Sequence, residues 1–180
     1  SISMTWYDPN DNEDGHIVYR QPVPPTTGFV EIARVTPGTP GFGGVTFVDD
    51  YAHLPTEVAA ALEAAGEGDW GRIVCVFQPH RFSRISALWQ DFADSFGEAD
   101  LLVVTDIYPA GEAPRPGVSG KLIVNAVLDA HPWRPLAYLP KRPDLVPYLR
   151  SVLRPGDLCL TLGAGDLTSL ADEVQDALRP

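Results

Sequence analysis

The chain has 180 residues, 44% of them hydrophobic, and a formal net charge of −11; that suits one domain with some extra length and enough apolar material for a core. The acidic balance argues against a nucleic-acid partner, whose phosphates select a basic face. No apolar run approaches the roughly 18 residues of a membrane span, and the opening SISMTWYDPNDNEDG lacks the basic start and apolar stretch of a secretory signal, so a cytoplasmic protein without a membrane partner is expected.

Residues 1–43 are rich in Pro, Gly, Asn and Asp, as in DPNDNEDG, QPVPPTTG and TPGTPGFGG. They read as a poorly defined segment in which His16–Tyr19 and Phe29–Val35 are candidate edge strands or a hairpin. From residue 44 to 180 the pattern is regular. Val45–Val48 is a short strand ending in Asp49-Asp50. Pro55 suits a first helical position, and Val58, Ala61, Leu62 and Ala65 follow at helical spacing. Arg72–Phe77 (RIVCVF) reads as a buried strand, and Ile85, Leu88, Trp89, Phe92 and Phe96 as the apolar stripe of one helix. Leu101–Thr105 is a third strand. Ser119 is a candidate N-cap for a helix carrying Leu122, Ile123, Ala126 and Val127. Leu136–Leu139 is a fourth strand, Asp144–Leu153 a helix, and Leu158–Leu162 (LCLTL) a fifth strand. Asp166 is placed to cap a last helix with Leu167, Leu170, Val174 and Leu178 on one face. Cys75 and Cys159 both fall inside strand runs and form no CxxC, so buried thiols are expected rather than a disulfide or a metal site.

Strands that alternate with helices and read as continuous apolar runs imply a parallel sheet covered on both faces. The fold class is therefore α/β: a Rossmann-like, doubly wound, mostly parallel sheet with helices on both faces. In such folds ligands bind outside the carboxyl ends of the strands. Polar residues gather at those ends here: Asp49, Asp50, Tyr51 and His53 after the first strand; Gln78, His80, Arg81 and Arg84 after the second; Asp106 and Tyr108 after the third; Gly163, Ala164, Gly165 and Asp166 after the last. Arg81 and Arg84, three apart at a helix start, share a face, and Arg suits bidentate contact with carboxylate or phosphate. Taken singly, each feature has an ordinary reading as a cap, a turn former or a solvated charge. Pattern and spacing alone stop at an α/β domain with a polar, partly cationic ligand cleft.

Two longer runs carry the reading further. VDDYAHLPTEV (48–58) and VFQPHRFSR (76–84) resemble the C-terminal, third domain of the Mur ligases, whose versions read approximately DDYAHHPTEV and FQPHRYSR. TDIYPAGEAPRPGVSG (105–120) and TLGAGDL (161–167) resemble further segments of the same domain, in the same order. The resemblance covers about residues 44–180 and is strongest to the branch that joins L-alanine to UDP-N-acetylmuramate in peptidoglycan synthesis. Leu54 stands where the family usually has a second His, and Phe82 where it has Tyr. The chain contains no G-x-x-x-x-G-K-[ST] phosphate loop.

The resemblance implies a reaction for the complete enzyme. ATP and Mg²⁺ activate the substrate's lactyl carboxylate as an acyl phosphate, which the amino group of L-alanine attacks. This domain would close over an ATP-binding central domain and position the amino acid. Its partners would be that central domain and an N-terminal domain. The chain alone would be inactive, with no catalytic residue in isolation, no metal ligand set and no tightly bound cofactor. On the same basis Asp50, Tyr51 and His53 would contact the nucleotide. His80, Arg81, Arg84 and the Gly163–Ala164–Gly165–Asp166 turn would contact the amino acid or substrate anion. A ligase that recycles murein tripeptide shares similar motifs. A stand-alone module that binds a nucleotide or a partner without catalysis is the reading from another class. A dinucleotide oxidoreductase is disfavoured, because DDYAHLP rather than G-x-G-x-x-G follows the first strand.

Overall fold

The computed structural model describes residues 16–20, 30–36 and 45–178. The runs DPNDNEDG and QPVPPTTG, residue Phe29 and most of TPGTPGFGG lie outside the described residues.

Among the described residues, seven strands form one sheet in the order β1-β2-β3-β7-β4-β5-β6. They are β1 (His16–Arg20), β2 (Val30–Thr36), β3 (Thr46–Asp50), β4 (Arg72–Phe77), β5 (Leu101–Val104), β6 (Leu136–Tyr138) and β7 (Asp157–Leu162). From β3 to β6 every pairing is parallel. The two candidate edge strands pair with each other antiparallel, and β2 pairs antiparallel with β3, so they extend the same sheet at one edge. The helices are α1 (Pro55–Gly66), α2 (Phe82–Leu88), α3 (Lys121–Ala130), α4 (Leu145–Val152) and α5 (Leu170–Leu178).

The apolar runs of the central strands feed two cores, because alternate side chains leave opposite faces. Ile73, Cys75 and Phe77 of β4 join Val58 and Leu62 of α1, Ile85 of α2, and Ile123 and Val127 of α3. Val74 and Val76 of the same strand join Leu145 and Leu149 of α4, and Leu170 and Val174 of α5. The winding explains the division. The chain runs outward through β3, β4, β5 and β6, then returns to insert β7 between β3 and β4. Right-handed crossovers put outbound and returning helices on opposite faces. Cys75 and Cys159 are both buried and free but belong to opposite cores. Burial raises both thiols, Cys159 to about 12.

Three local expectations change. The stripe from Ile85 to Phe96 does not form one helix: α2 ends at Leu88 and a 3-10 turn, Trp89–Phe92, follows. The tighter winding brings Phe92 and Phe96 each within 5.3 Å of Phe77, centroid to centroid. Strand β3 runs through Asp49 and Asp50, because both pair with β7 at Thr161 and Leu162. Gly120, not Ser119, is the N-cap of α3. A Cβ on Gly120 would lie 2.3 Å from the Thr105 carbonyl oxygen, so only glycine fits that close approach.

Candidate functional site

The four loops expected to converge leave strands that lie side by side, in the order β3, β7, β4, β5. They are joined by backbone hydrogen bonds beyond the strand ends. Gly163 N–H donates to Asp50 O at 3.1 Å, Gln78 N–H to Leu162 O at 2.9 Å, and Arg81 N–H to Tyr108 O at 2.9 Å. The crevice falls at β7. The chain leaves β3 and β4 toward the face of α1 and α2, but leaves β7 toward the face of α5. Neighbouring loops therefore part there, the arrangement that opens a ligand crevice in doubly wound sheets.

After β3, the Asp50 carboxylate accepts from Ala52 N–H at 2.7 Å, which turns the chain sharply. Tyr51 is thrown outward, with 61% of its surface exposed. His53 Nδ1 lies 3.0 Å from Tyr51 O. A carbonyl only accepts, so Nδ1 carries a proton, and the Glu57 carboxylate lies 3.5 Å from the same nitrogen. Pro55 opens α1 as expected, and Glu57 Oε2 reaches back to the amides of His53 and Leu54, each at 3.1 Å. That satisfies two donors a helix start leaves over.

After β4, His80 is buried and its Nδ1 lies 2.9 Å from Arg84 Nη1. A guanidinium only donates, so here Nδ1 accepts and the proton sits on Nε2, opposite to His53. The two rings are 5.5 Å apart, and His80 stacks on Tyr108 at 5.8 Å. Burial holds His80 below the usual histidine range, and the charges of Arg84, His53 and Arg81 add to this against the opposing Glu112. His80 is therefore neutral. Arg81 occupies the N-cap of α2 with φ of 70°, a left-handed backbone uncommon outside glycine. Its side chain makes no ion pair among the described residues, while Arg84 also donates to His80 O at 3.3 Å.

After β7, Asp166 is not a helix cap. It opens a 3-10 turn whose N-cap is Gly165, and its carboxylate accepts from Gln78 Nε2 at 2.7 Å while its own N–H donates to Gln78 Oε1 at 3.1 Å. This two-way contact ties β4 to β7. A Cβ on Gly165 would lie 2.2 Å from Gln78 Oε1 and 2.6 Å from Tyr108 Cγ. Glycine is thus required for close packing, and Gly163 and Ala164 complete the turn. Among the described residues no group of three or more His, Cys, Asp or Glu side chains gathers to hold a metal ion. No helix of the described residues is long and apolar enough to cross a membrane.

The family model described as Mur ligase, glutamate ligase domain, matches residues 36–165. The chain belongs to the Mur ligase family. The UDP-N-acetylmuramate–L-alanine ligase of Pelotomaculum thermopropionicum is 47% identical over 136 residues, which are 76% of this chain and 29% of that protein. The enzyme of the same name from Desulforamulus reducens is 49% identical over 131 residues, 73% of this chain and 28% of the relative. The crystal structure of UDP-N-acetylmuramate–alanine ligase from Thermotoga maritima superposes with a TM-score of 0.56 at 26% identity, covering 78% of this chain and 28% of that one. The chain thus spans less than a third of the length of these relatives.

In this Mur ligase domain, the four loops named from the sequence lie side by side and touch one another, but the side chains that organise them were not all anticipated. Gln78, Asp106 and Tyr108 were legible only as polar residues at strand ends. Asp106 Oδ1 accepts from the amides of Ile107 at 2.8 Å and Gly120 at 2.9 Å, which closes the long loop on itself. Glu112 was missed. It accepts from Ser83 N–H at 2.8 Å and from the Ser83 hydroxyl. These donors, with Arg115 and Arg81 nearby, hold its carboxyl below the usual range. Only the position of Glu112 inside a Pro/Gly loop signalled it, and that does not reveal a contact 29 residues away.

Proposed function

We propose that this domain is the amino-acid-positioning, closing domain of an ATP-dependent ligase that joins L-alanine to UDP-N-acetylmuramate. The observation that carries the reading is Arg81. Its backbone is pinned in a costly conformation at the start of α2, beside the loops that follow β4 and β5, while its guanidinium takes no ion pair among the described residues. A cation held that way is prepared for an anionic ligand. Arg84 lies one turn on, and neutral His80 adds no competing charge but accepts one of Arg84's donors. Together Arg81 and Arg84 offer forked donors that match a carboxylate. The high identity to relatives named as alanine ligases favours L-alanine as the amino acid whose carboxylate binds there.

The Asp50–His53 loop fits the edge of a nucleotide site. It presents a carboxylate suited to ribose hydroxyls, an exposed aromatic ring at Tyr51, and the imidazole of His53. When bound in the whole enzyme, ATP with Mg²⁺ supplies the phosphoryl group that activates the substrate carboxylate. This chain contributes neither a phosphate loop nor, among the described residues, a metal-holding cluster. We assign those parts to the central domain that its relatives carry. The Gly163–Asp166 turn, kept narrow by Gly165, borders the amino-acid side of the crevice. Closure of this edge over a central domain would exclude water from a hydrolysable activated carboxylate.

Isothermal titration tests the reading, using Mg-ATP and L-alanine with this chain, alone and with a separately expressed central domain of a related ligase. Binding that requires both parts is expected. Tight nucleotide binding by this chain alone would replace the proposal with a self-sufficient binding module.

A further inference from the structure

Among the described residues, two non-glycine residues adopt positive φ: Arg81 at 70° and Ala110 at 48°. Both flank one contact. Ala110 and Gly111 (φ 85°) form the centre of a tight turn closed by Glu112 N–H donating to Pro109 O at 3.0 Å. The turn returns Glu112 toward the start of α2, where its carboxylate takes the Ser83 N–H at 2.8 Å and the Ser83 hydroxyl. Two residues earlier, Arg81 N–H donates to Tyr108 O at 2.9 Å, and Tyr108 N–H donates to Pro79 O at 2.8 Å. The segment Tyr108–Glu112 therefore grips the chain on both sides of Arg81. Left-handed backbone costs a non-glycine residue on the order of 1–3 kcal/mol, and it persists only where its surroundings over-determine it. Arg81 has no side-chain cap bond of its own to help.

The Glu112 carboxylate feels the charge of Arg81 but forms no ion pair with it; its two oxygens each take a donor from Ser83. The contact that holds the loop is therefore to Ser83 and not to the Arg81 guanidinium.

We propose that Glu112 is the positioning residue of the anion site: by holding Ser83 it keeps Arg81 in its left-handed conformation and so sets Arg81 and Arg84 side by side for one carboxylate. This rests on the function proposed above and adds to it a residue outside the four strand-end clusters.

The test has two independent arms. In the 180-residue chain, hydrogen exchange of the Arg81 and Ser83 amides should quicken at least ~10-fold in Glu112→Gln, with most of α3 and β7 unchanged. Unaltered exchange overturns the grip, whatever the site binds. In the full-length ligase containing this chain, Glu112→Gln should raise the KM for L-alanine ~10-fold, with kcat changed less. Glu112→Asp, which keeps the charge, should recover part of that loss, and Ser83→Ala should give a milder version of it. The decisive reading is non-additivity: once Arg81→Ala is present, Glu112→Gln should have no further effect on KM. A full additional ~10-fold loss in the double variant would show that Glu112 acts elsewhere and overturn its positioning role. If Arg81→Ala itself leaves the KM for L-alanine unchanged, the assignment of the amino-acid site fails, and the exchange arm still decides whether Glu112 fixes the Arg81 backbone.

Discussion

The two ends of the parallel sheet use the same residue types to opposite purposes. At the amino ends of the strands, two arginines, Arg72 and Arg134, are spent inside the fold. Arg72, the first residue of β4, donates from Nε and Nη2 to Asp157, the first residue of β7, at 3.0 and 2.6 Å. Asp157 is 2% exposed and also accepts from Arg154 N–H at 2.8 Å. Arg134, just before β6, donates to the carbonyls of Phe96 at 2.6 Å and Ala99 at 2.8 Å. Asp100, just before β5, accepts from Ile73 N–H at 2.7 Å. At the carboxyl ends, Arg84 and several carboxylates are likewise bonded within the loops, but the Arg81 guanidinium takes no ion pair among the described residues. The contrast is between cations whose heads are saturated inside the fold and one that takes no ion pair among the described residues; the function proposed above reads the first as staples and the second as part of a site.

If that contrast holds, substitutions at the two ends should separate stability from binding. Asp157→Ala should have the largest effect, about 3 kcal/mol of unfolding free energy lost, because Arg72 keeps its charge without its partner. Chemical denaturation would measure it, and the ligand affinity of the surviving folded fraction should be unchanged. Arg81→Ala should do the reverse. In the full-length ligase we expect kcat/KM for L-alanine to fall ~100-fold, about 2.7 kcal/mol of transition-state binding. Unfolding of this chain should shift by less than about 0.5 kcal/mol, the usual range for a surface change. A loss of stability without a loss of activity would erase the distinction between the ends. Gly165→Ala should fall between them, costing about 1–3 kcal/mol through overpacking against Gln78 and Tyr108. It should also weaken amino-acid binding, since the Gln78–Asp166 pair borders the crevice. The smallest effect concerns pH. His80 is held below its usual range, so the unfolded chain binds its proton more readily than the folded one. Stability from this residue is then fully present above the ordinary histidine pKa of ~6.5 and is lost as pH falls through the lower folded value. Acid titration of the unfolding free energy should show a decline that His80→Asn lacks. An identical profile in the variant would place the titration elsewhere.

Much of this molecule is written locally. The runs RIVCVF and LCLTL announce buried strands by their continuous apolar pattern, and Pro55 starts its helix because its missing N–H costs nothing there. The motif runs at 48–58 and 76–84 point to the family and to the loops that matter. Sequence spacing misjudged the stretch after Leu88, where three phenylalanines packing together outweigh helical periodicity. It also assigned Asp166 to a cap, because an acidic residue before a helix usually is one.

What the sequence by itself determined, then, was the alternation of strands and helices, the buried character of both, and the identity of the crevice loops, since hydrophobic period and turn chemistry act over a few residues. Tertiary structure alone decided the rest. Inserting β7 between β3 and β4 brings Asp166 to Gln78 across 88 positions of sequence and requires a glycine at 165. It decided that Nδ1 donates in His53 and accepts in His80, because a ring nitrogen takes its proton according to the partner set before it. It also decided the grip of Glu112 on Ser83, which exists only because β4 and β5 lie side by side and hold their two loops within hydrogen-bonding reach.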